Sequence, residues 1–299
     1  NKIDLIDWLT NIPIEEVDNL LTSKCRNKEG PLSLAMFNAE ETVLFKNMHD
    51  RLMVLAQLAE SKGVRIMVDA EQTYFQPCID YLVNRLMMRC NDPLVGVSYP
   101  VIFGTYQMYL KDSHERLTMD IERAKRYNYT FAAKLVRGAY MVGEGQHAED
   151  NELESPVHDS IECTHANYNK SVEYVINRIS DDILSREGSE VNTDSGRDLE
   201  IMFATHNQHS VEHAVSLIQE KDLDPSTCGV YFGQLLGMSD HLTYTLGGAN
   251  YRAYKYVPFG KVSEVMPYLI RRAVENADAL GGAKIEIAMI YKELKDRYL

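Results

Sequence analysis

Short apolar runs alternate with longer amphipathic stretches along most of this 299-residue chain. The apolar runs predict six strands, at Val64–Asp69, Tyr99–Thr105, Phe131–Arg137, Leu199–Ala204, Cys228–Phe232 and Ala253–Val257. The amphipathic stretches predict helices, among them Leu117–Tyr127, Ile161–Ile179, Ser210–Lys221 and Ser263–Ala277. Short strands that alternate with helices are typical of parallel βαβ units, so the pattern predicts an α/β fold.

The helix before the first strand carries its own start and stop signals. Asn38 stands three residues before Glu41, which is the register of a capping box, and Gly63 ends the helix. A set of apolar residues recurs at helical spacing and predicts a face that covers a sheet: Leu44, Met48, Leu52, Leu55 and Ala59.

The number of strands restricts the architecture. Six are too many for a small flavodoxin-like sheet and two fewer than a closed eight-stranded barrel contains. No Gly-x-Gly-x-x-Gly motif follows any strand, which argues against a dinucleotide-binding Rossmann fold. We therefore expect an N-terminal helical segment at 1–40 and one barrel-like domain at 41–299.

Two polar stretches interrupt the alternation of strands and helices. Gly143–Ser155 is acidic and contains glycine, and we expect a long loop over the mouth of a barrel. Ser185–Asp198 is rich in Ser, Gly and Asp, and we expect a mobile insertion.

Composition excludes several classes of protein. The net charge of −13, without a basic stripe or tail, argues against a nucleic-acid partner. The five cysteines are scattered and odd in number, which fits a reducing compartment and neither a disulfide framework nor a zinc site. The chain has no run of 18 apolar residues, and its first residues lack the apolar core of a signal peptide.

Polar residues follow nearly every predicted strand, where chemistry gathers in α/β barrels. Each of them also has a purely structural explanation. For example, Asp69 could cap a helix, and His206 could be a core histidine whose hydrogen bonds are satisfied. Together they favour a functional site, at Asp69, Gln107, Lys134, Arg137, Thr205, His206, Asn207, Gln234 and Tyr256.

Arg271 and Arg272 lie shortly after the last strand, on the last predicted helix named above. A guanidinium group binds a carboxylate through paired, charge-assisted hydrogen bonds, so two of them suggest a receptor for a small acid. The alternative is a solvated helix face on which Arg271 forms an ordinary i,i+4 ion pair with Glu275.

Two other classes of function compete with an enzyme. His206, His209 and His213 could form a metal cluster, but no carboxylate nearby completes a zinc motif. A protein that only binds a ligand would not need so many ionisable groups at one mouth.

Taken in chain order, seven segments resemble the proline dehydrogenase family. Several of them are most similar in sequence to its single-function, eukaryotic-type mitochondrial members. They span roughly residues 40–280: Val68–Pro77, Thr105–Lys111, Lys134–Tyr140, Ala204–Asn207, Tyr231–Met238, Tyr254–Pro258 and Tyr268–Asn276. The resemblance implies a (βα)8 barrel of the TIM type, with FAD at the carboxyl ends of the strands and a final helix over the mouth.

The resemblance also implies roles for individual residues. Arg271 and Arg272 would clamp the carboxylate of proline, and Asp69 would be an active-site carboxylate. Three residues would wall the pyrrolidine ring: Leu235, Tyr256 and Tyr268. The others would hold the flavin or support the arginine helix: Gln107, Lys134, Val136, Arg137, Gly138, Ala139, Tyr140, Thr205, His206, Asn207 and Glu275. Lys134 would also be catalytic.

The implied reaction oxidises L-proline to 1-pyrroline-5-carboxylate by hydride transfer to FAD, and a quinone then takes up the electrons. The family places such an enzyme in the mitochondrial matrix, peripheral to the inner membrane, and no metal is expected. The alternatives are the sister enzyme that acts on trans-4-hydroxyproline and a catalytically impaired barrel fragment. Tyr256 favours proline, since a tyrosine there would crowd a ring hydroxyl.

The chain departs from the family pattern in three places. The family has an earlier strand with a lysine that meets the substrate carboxylate, and residues 1–40 contain no convincing strand. Either the chain starts after that strand or the barrel is incomplete. Lys134 and Arg137 stand in the reverse order of many bacterial members, and Ala283–Leu294 fits a helix better than an eighth strand.

Overall fold

The computed structural model of the protein describes residues 37–93, 99–187, 198–275 and 280–298, with only the backbone for 271–275 and 280–286. Six strands are hydrogen-bonded in chain order, from β1 to β6. They are β1 Ile66–Met67, β2 Ile102–Gln107, β3 Phe131–Val136, β4 Leu199–Ala204, β5 Val230–Leu235 and β6 Arg252–Tyr256. The predicted α/β fold with six strands is confirmed for this part of the chain.

Nine helices lie in the described part of the chain. They are α1 Ala39–Lys62, α2 Gln76–Cys90, α3 Ser113–Tyr127, α4 Met141–Asp150, α5 Ile161–Glu187, α6 Gln208–Glu220, α7 Asp240–Gly248, α8 Val262–Glu275 and α9 Leu280–Tyr298. Helices lie between successive strands because the chain has to cross back to the end of the sheet where the previous strand began before it can form a parallel neighbour. No helix among the described residues is long and apolar enough to cross a membrane.

The chain divides into two compact units. The first consists of Asn1–Thr105, Glu115–Ala133 and Ser189–Glu200, and the second of Tyr106–His114, Lys134–Gly188 and Ile201–Leu299. In the first unit, β1 pairs in parallel with β2, with Ile66 opposite Ile102. In the second unit, β4, β5 and β6 pair in parallel, and Leu235 stands opposite Tyr256.

A buried asparagine organises the first unit. The Asn91 side chain is 3% exposed, and its Oδ1 accepts hydrogen bonds from the backbone N–H groups of Val101 and Ile102, both at 2.9 Å. Its Nδ2 donates to the carbonyl oxygens of Ile102, at 2.8 Å, and Thr130, at 3.1 Å. This one amide satisfies backbone groups where two strands begin, which would otherwise be buried without partners.

Helix α1 begins and ends as predicted, and its packed face matches the prediction only in part. Asn38 and Glu41 form the capping box, and Gly63 ends the helix at a φ of 68°. Phe45, Met48 and Leu52 pack against Tyr81 and Leu82 of α2. The predicted face was wrong in two of its members, because Leu44 and Leu55 are exposed, and the partner of this helix is α2.

The prediction of a long loop at Gly143–Ser155 was wrong over most of its length. Helix α4 continues to Asp150 and buries Glu144 and Ala148, which stand one turn apart on a single face. The two glycines of this segment favoured a loop in the prediction, although the segment forms a helix whose buried face includes a carboxylate. Helices α2 and α7 were not predicted either.

Two predicted segments fall largely outside the described residues. Of the N-terminal segment 1–40, only the start of α1 is described, so the boundary near residue 40 stays a prediction. Of Ser185–Asp198, the first three residues belong to α5, and residues 188–197 are not described.

Candidate active site

Among the described residues, Arg137 is held by hydrogen bonds to three side chains, and all three lie in the second unit. It directly follows β3, and its guanidinium uses all three nitrogens. Nε donates to Nδ1 of His165 at 3.0 Å, Nη1 to Oγ1 of Thr205 at 2.6 Å, and Nη2 to Oγ of Ser210 at 2.9 Å. Its Cζ lies 4.4 Å from the centre of the Tyr168 ring, so the guanidinium rests on an aromatic face.

The partners of Arg137 are all uncharged. Within the described residues Arg137 forms no ion pair, and burial lowers the pKa of its guanidinium, an effect that Tyr168 opposes. Burial, followed by the nearby Arg137, also lowers the pKa of His165, which keeps that ring neutral and able to accept a hydrogen bond. A largely buried cation without a counter-ion is costly, and a bound anion would compensate it.

The backbone turns sharply just after Arg137. Gly138 has a φ of 115°, and a Cβ on it would lie 1.8 Å from Cδ1 and 2.0 Å from Cε1 of Tyr109. Tyr109 is itself fully buried and donates its backbone N–H to the carbonyl oxygen of Arg137 at 2.9 Å. Burial raises the pKa of the Tyr109 phenol, and Glu144 adds to the rise. Only glycine fits position 138, because the Tyr109 ring occupies the space of a side chain.

His206 is held in one protonation state and one tautomer. Its Nε2 lies 3.0 Å from the backbone nitrogen of Leu235, whose N–H it accepts. Burial, and then the charge of Lys255, lower the pKa of His206. An imidazole that accepts at Nε2 carries its proton on Nδ1, so His206 is neutral and its Nδ1–H is a donor.

Thr205 and Asn207, on either side of His206, are held by local bonds. Thr205 accepts from both Arg137 and the backbone N–H of Asn207, the latter at 3.1 Å. Asn207 caps α6 by accepting the backbone N–H of Ser210 at 3.0 Å. Both residues fix the start of α6, which places Ser210 against Arg137.

The three residues predicted to wall a substrate ring are drawn from neighbouring elements of the second unit. Leu235 ends β5 and stands opposite Tyr256, which ends β6. The rings of Tyr256 and Tyr268 have centres 6.0 Å apart and planes inclined at 42°. Tyr256 is 48% exposed, so this aromatic pair keeps a face open to solvent and able to accept a ligand.

The remaining predicted residues have the following places. Asp69 is exposed just after β1, in the first unit. Gln107 is buried at the end of β2, and Lys134 and Val136 are half-buried on β3. Ala139 is exposed, and Tyr140 precedes the first residue of α4. For Arg271, Arg272 and Glu275 the structure gives only the backbone, which is helical and belongs to α8.

The metal alternative gains no support from the arrangement of the histidines. His209 is 93% exposed at its side chain and lies 3.8 Å from Glu212. In the ranges that the structure describes, no group of three or more His, Cys, Asp or Glu side chains is placed to hold a metal ion.

Sequence reasoning missed several residues that shape the site. His165 and Tyr168 stand three apart on α5, a spacing that puts both on one face, but nothing in the sequence joins that face to Arg137. Tyr109 and Lys255 were not predicted as site residues, although they lie in two of the segments that resemble the family, Thr105–Lys111 and Tyr254–Pro258. Ser210 could have been found, because it stands in capping register after Asn207.

The fold and the site define a parallel α/β protein that gathers basic and polar side chains where its strands end. The family model for proline dehydrogenase matches residues 5–284, and the chain belongs to that family. The predicted resemblance is therefore confirmed. Human mitochondrial proline dehydrogenase 1 is 38% identical over 297 residues, which cover 99% of this chain and 46% of that protein.

Two further comparisons bear on substrate and fold. The hydroxyproline dehydrogenase of Xenopus laevis is 38% identical over 270 residues, which cover 90% of this chain and 54% of that one. The crystal structure of proline utilization A from Bdellovibrio bacteriovorus, inactivated by N-propargylglycine, is similar with a TM-score of 0.65 at 25% identity. That match covers 78% of this chain and 22% of the other. The chain thus spans about half the length of the curated relatives it matches.

Proposed function

We propose that this protein oxidises L-proline to 1-pyrroline-5-carboxylate with FAD as its cofactor. The observation that carries the proposal is the half-buried guanidinium of Arg137, which directly follows β3 and, among the described residues, is bonded only to neutral groups. The described residues use three of its five N–H groups, and we propose that the others bind an anionic or strongly accepting group.

The residues around Arg137 fit a flavin nucleotide. Gly138 turns the backbone directly after Arg137, with a φ of 115°, and is one of the proposed cofactor contacts. His206 offers an Nδ1–H donor, and Gln107, Lys134, Val136, Ala139, Tyr140, Thr205 and Asn207 complete the proposed cofactor contacts. Bound FAD supplies the acceptor for the hydride that leaves a ring carbon of proline. The charges of Lys134 and Arg137 stabilise the negative charge that develops as that acceptor is reduced.

The substrate contacts in the proposal come from β5, β6 and α8. Leu235, Tyr256 and Tyr268 enclose the apolar ring, and Arg271 and Arg272 bind the carboxylate. Glu275 stands one turn beyond Arg271 on the same helix and supports the pair. Fixing both the ring and the carboxylate orients the reacting carbon, which is the main contribution a protein can make to hydride transfer. Asp69 is proposed as the active-site carboxylate.

Trans-4-hydroxyproline is the second candidate substrate, because a hydroxyproline dehydrogenase matches this chain at 38% identity as well. The half-exposed Tyr256, paired with Tyr268, favours proline. Its ring occupies space that an added hydroxyl on the substrate would need, and an unsatisfied hydroxyl against a ring face is costly.

The wider setting of the enzyme also belongs to the proposal. We expect the six strands to belong to an eight-stranded barrel, with α8 over its mouth. A quinone is the proposed electron acceptor. The mitochondrion is the proposed location, as the names of mitochondrial relatives suggest, and within it we propose the matrix, peripheral to the inner membrane.

The test is the visible absorption spectrum of the purified full chain with added FAD. We expect protein-bound flavin bands that bleach when L-proline is added without oxygen and return with a quinone acceptor. A protein that retains no flavin is the impaired barrel fragment, and one that retains flavin but is reduced faster by trans-4-hydroxyproline is the sister enzyme.

A pair of variants ties the flavin to Arg137. Arg137→Met should weaken FAD binding about ten- to a hundredfold, which corresponds to losing one charge-assisted hydrogen bond. Arg297→Met removes an exposed arginine that pairs with Glu293 on α9, and should leave FAD binding unchanged. Equal FAD affinity in the two variants would remove Arg137 from the cofactor site.

A further inference from the structure

Lys255 is a half-buried cation on β6 that none of the predicted roles uses. Its Nζ lies 2.7 Å from the carbonyl oxygen of Met238 and 3.4 Å from that of Leu235. It also lies 2.7 Å from Oδ1 of Asp240, the first residue of α7. One ammonium group therefore binds two backbone carbonyls and a carboxylate, which uses all three of its N–H donors.

The two carbonyls belong to the turn that ends β5. Met238 donates its N–H to the carbonyl oxygen of Leu235 at 3.1 Å, and Gly237 between them has a φ of 75°. Such a turn favours glycine at its third position, where φ is positive. Lys255 binds its first and fourth residues, so it fixes the turn from outside.

His206 holds the backbone of Leu235 at the preceding peptide group, which carries the N–H of this residue. The ring Nε2 accepts the N–H of Leu235 at 3.0 Å, while Lys255 approaches the carbonyl oxygen. Leu236, next in the chain, donates its N–H to the carbonyl oxygen of Tyr256 at 3.0 Å. Two side chains and one strand thus fix the backbone at the residue proposed to contact the substrate ring.

We propose that Lys255 is a positioning residue, which holds the Leu235–Met238 turn and the neutral ring of His206 in the geometry that the substrate and cofactor sites require. The geometry itself is given by the distances above. Its importance for binding substrate and cofactor rests on the proposed function. Lys255 does not touch the reacting atoms. It acts through the peptide of Leu235 and through its charge.

The electrostatic part of this role depends on the charges around His206. Lys255 on β6 disfavours a second positive charge and adds to the effect of burial in lowering the pKa of His206. Arg137 reaches the preceding residue, Thr205, and Asp240 is paired with Lys255. Since only the neutral ring can accept the N–H of Leu235, Lys255 preserves that hydrogen bond at mildly acidic pH.

The sign of the pH dependence follows from the lowered pKa. The bond between His206 and Leu235 is fully present above the ordinary histidine pKa of about 6.5 and is lost as pH falls through the folded-state value. Removing the Lys255 charge should raise that value, so the bond should be lost at a higher pH.

The test uses the full chain in three forms: wild type, Lys255→Met and Lys255→Arg. NMR of 13C-labelled histidine, with His206 assigned by comparison with His206→Gln, follows the ring titration. We expect an upward shift of the His206 pKa in Lys255→Met and a value near wild type in Lys255→Arg. Near pH 6, exchange of the Leu235 amide should be about tenfold faster in Lys255→Met, the worth of one hydrogen bond.

A kinetic measurement connects this geometry to function. In Lys255→Met, KM for L-proline should rise about tenfold while kcat changes less, because the wall of the ring site shifts. Lys221→Met, which removes an exposed lysine at the end of α6, is the matched control and should match wild type. Unchanged His206 titration and Leu235 exchange in Lys255→Met would overturn the proposal, as would a Lys255→Arg protein that titrates like Lys255→Met. If wild type does not oxidise proline, the proposed function fails, and the NMR measurements still decide the role of Lys255.

Discussion

Replacing Gly138 by alanine adds a single methyl group at the end of β3. That methyl carbon would lie 1.8 and 2.0 Å from two ring carbons of Tyr109, far inside any real contact. The backbone φ of 115° would also have to be adopted by a residue with a Cβ. The backbone strain costs about 1–3 kcal/mol and the overpacking about 1–3 kcal/mol. We therefore expect Gly138→Ala to lower the free energy of unfolding by about 2–6 kcal/mol.

Urea unfolding followed by circular dichroism measures this loss, and the same protein provides the control. Gly145 lies in α4, has no atom within 4 Å of an added Cβ, and is not among the residues with positive φ. Gly145→Ala should raise the free energy of unfolding by about 0.5–1 kcal/mol, because alanine favours helix. The two substitutions are chemically identical, so their difference isolates the surroundings of Gly138.

A double variant separates the two causes. Tyr109→Leu removes the ring, and it costs no hydrogen bond of the hydroxyl, which is buried without a partner among the described residues. In the Tyr109→Leu background, Gly138→Ala should retain its backbone strain and lose about 1–3 kcal/mol of its cost, as a coupling energy. If Gly138→Ala is as harmless as Gly145→Ala, the close approach of Tyr109 to this backbone is refuted.

Two further predictions concern the substrate. Arg272→Ala should raise KM for L-proline by about one to two orders of magnitude, because one charge-assisted carboxylate contact is worth about 1.5–3 kcal/mol. Steady-state kinetics with an unchanged KM would exclude the arginine pair as the clamp. Tyr256→Ser should raise the kcat/KM ratio of trans-4-hydroxyproline to L-proline about tenfold or more, and a ratio equal to that of wild type would remove Tyr256 as the determinant of specificity.

The Arg137 network shows why part of the site could be predicted and part could not. Arg137 and Thr205 were expected because each follows an apolar run, and polar residues at the ends of parallel strands converge. His165 and Ser210 complete the network from two helices whose order along the chain does not reveal which strand end they reach. Contacts of this kind depend on how each helix packs, and packing is not encoded in local periodicity.

Helix α4 illustrates a different failure. Its sequence contains two glycines and several acids, so local propensity favoured a loop, and the glycine penalty of about 1 kcal/mol per residue points the same way. The helix packs the face with Glu144 and Ala148 against the rest of the protein, and tertiary packing outweighs propensity. Helix α1 shows the converse: its caps were predicted to the residue, yet its buried face was predicted only in part, because periodicity alone cannot separate two neighbouring stripes of apolar side chains.

The sequence by itself determined the order of the six strands and of most helices, the caps of α1, the polar strand ends and the membership of the proline dehydrogenase family. These are properties of short segments, fixed by period, by turn residues and by motifs that do not depend on distant partners. Only the tertiary structure decided that Arg137 is a half-buried cation among neutral groups, that Tyr109 requires glycine at 138, and that Lys255 and His206 hold the backbone of Leu235. Each of these depends on side chains that are remote in sequence and meet only when the strands and helices have packed.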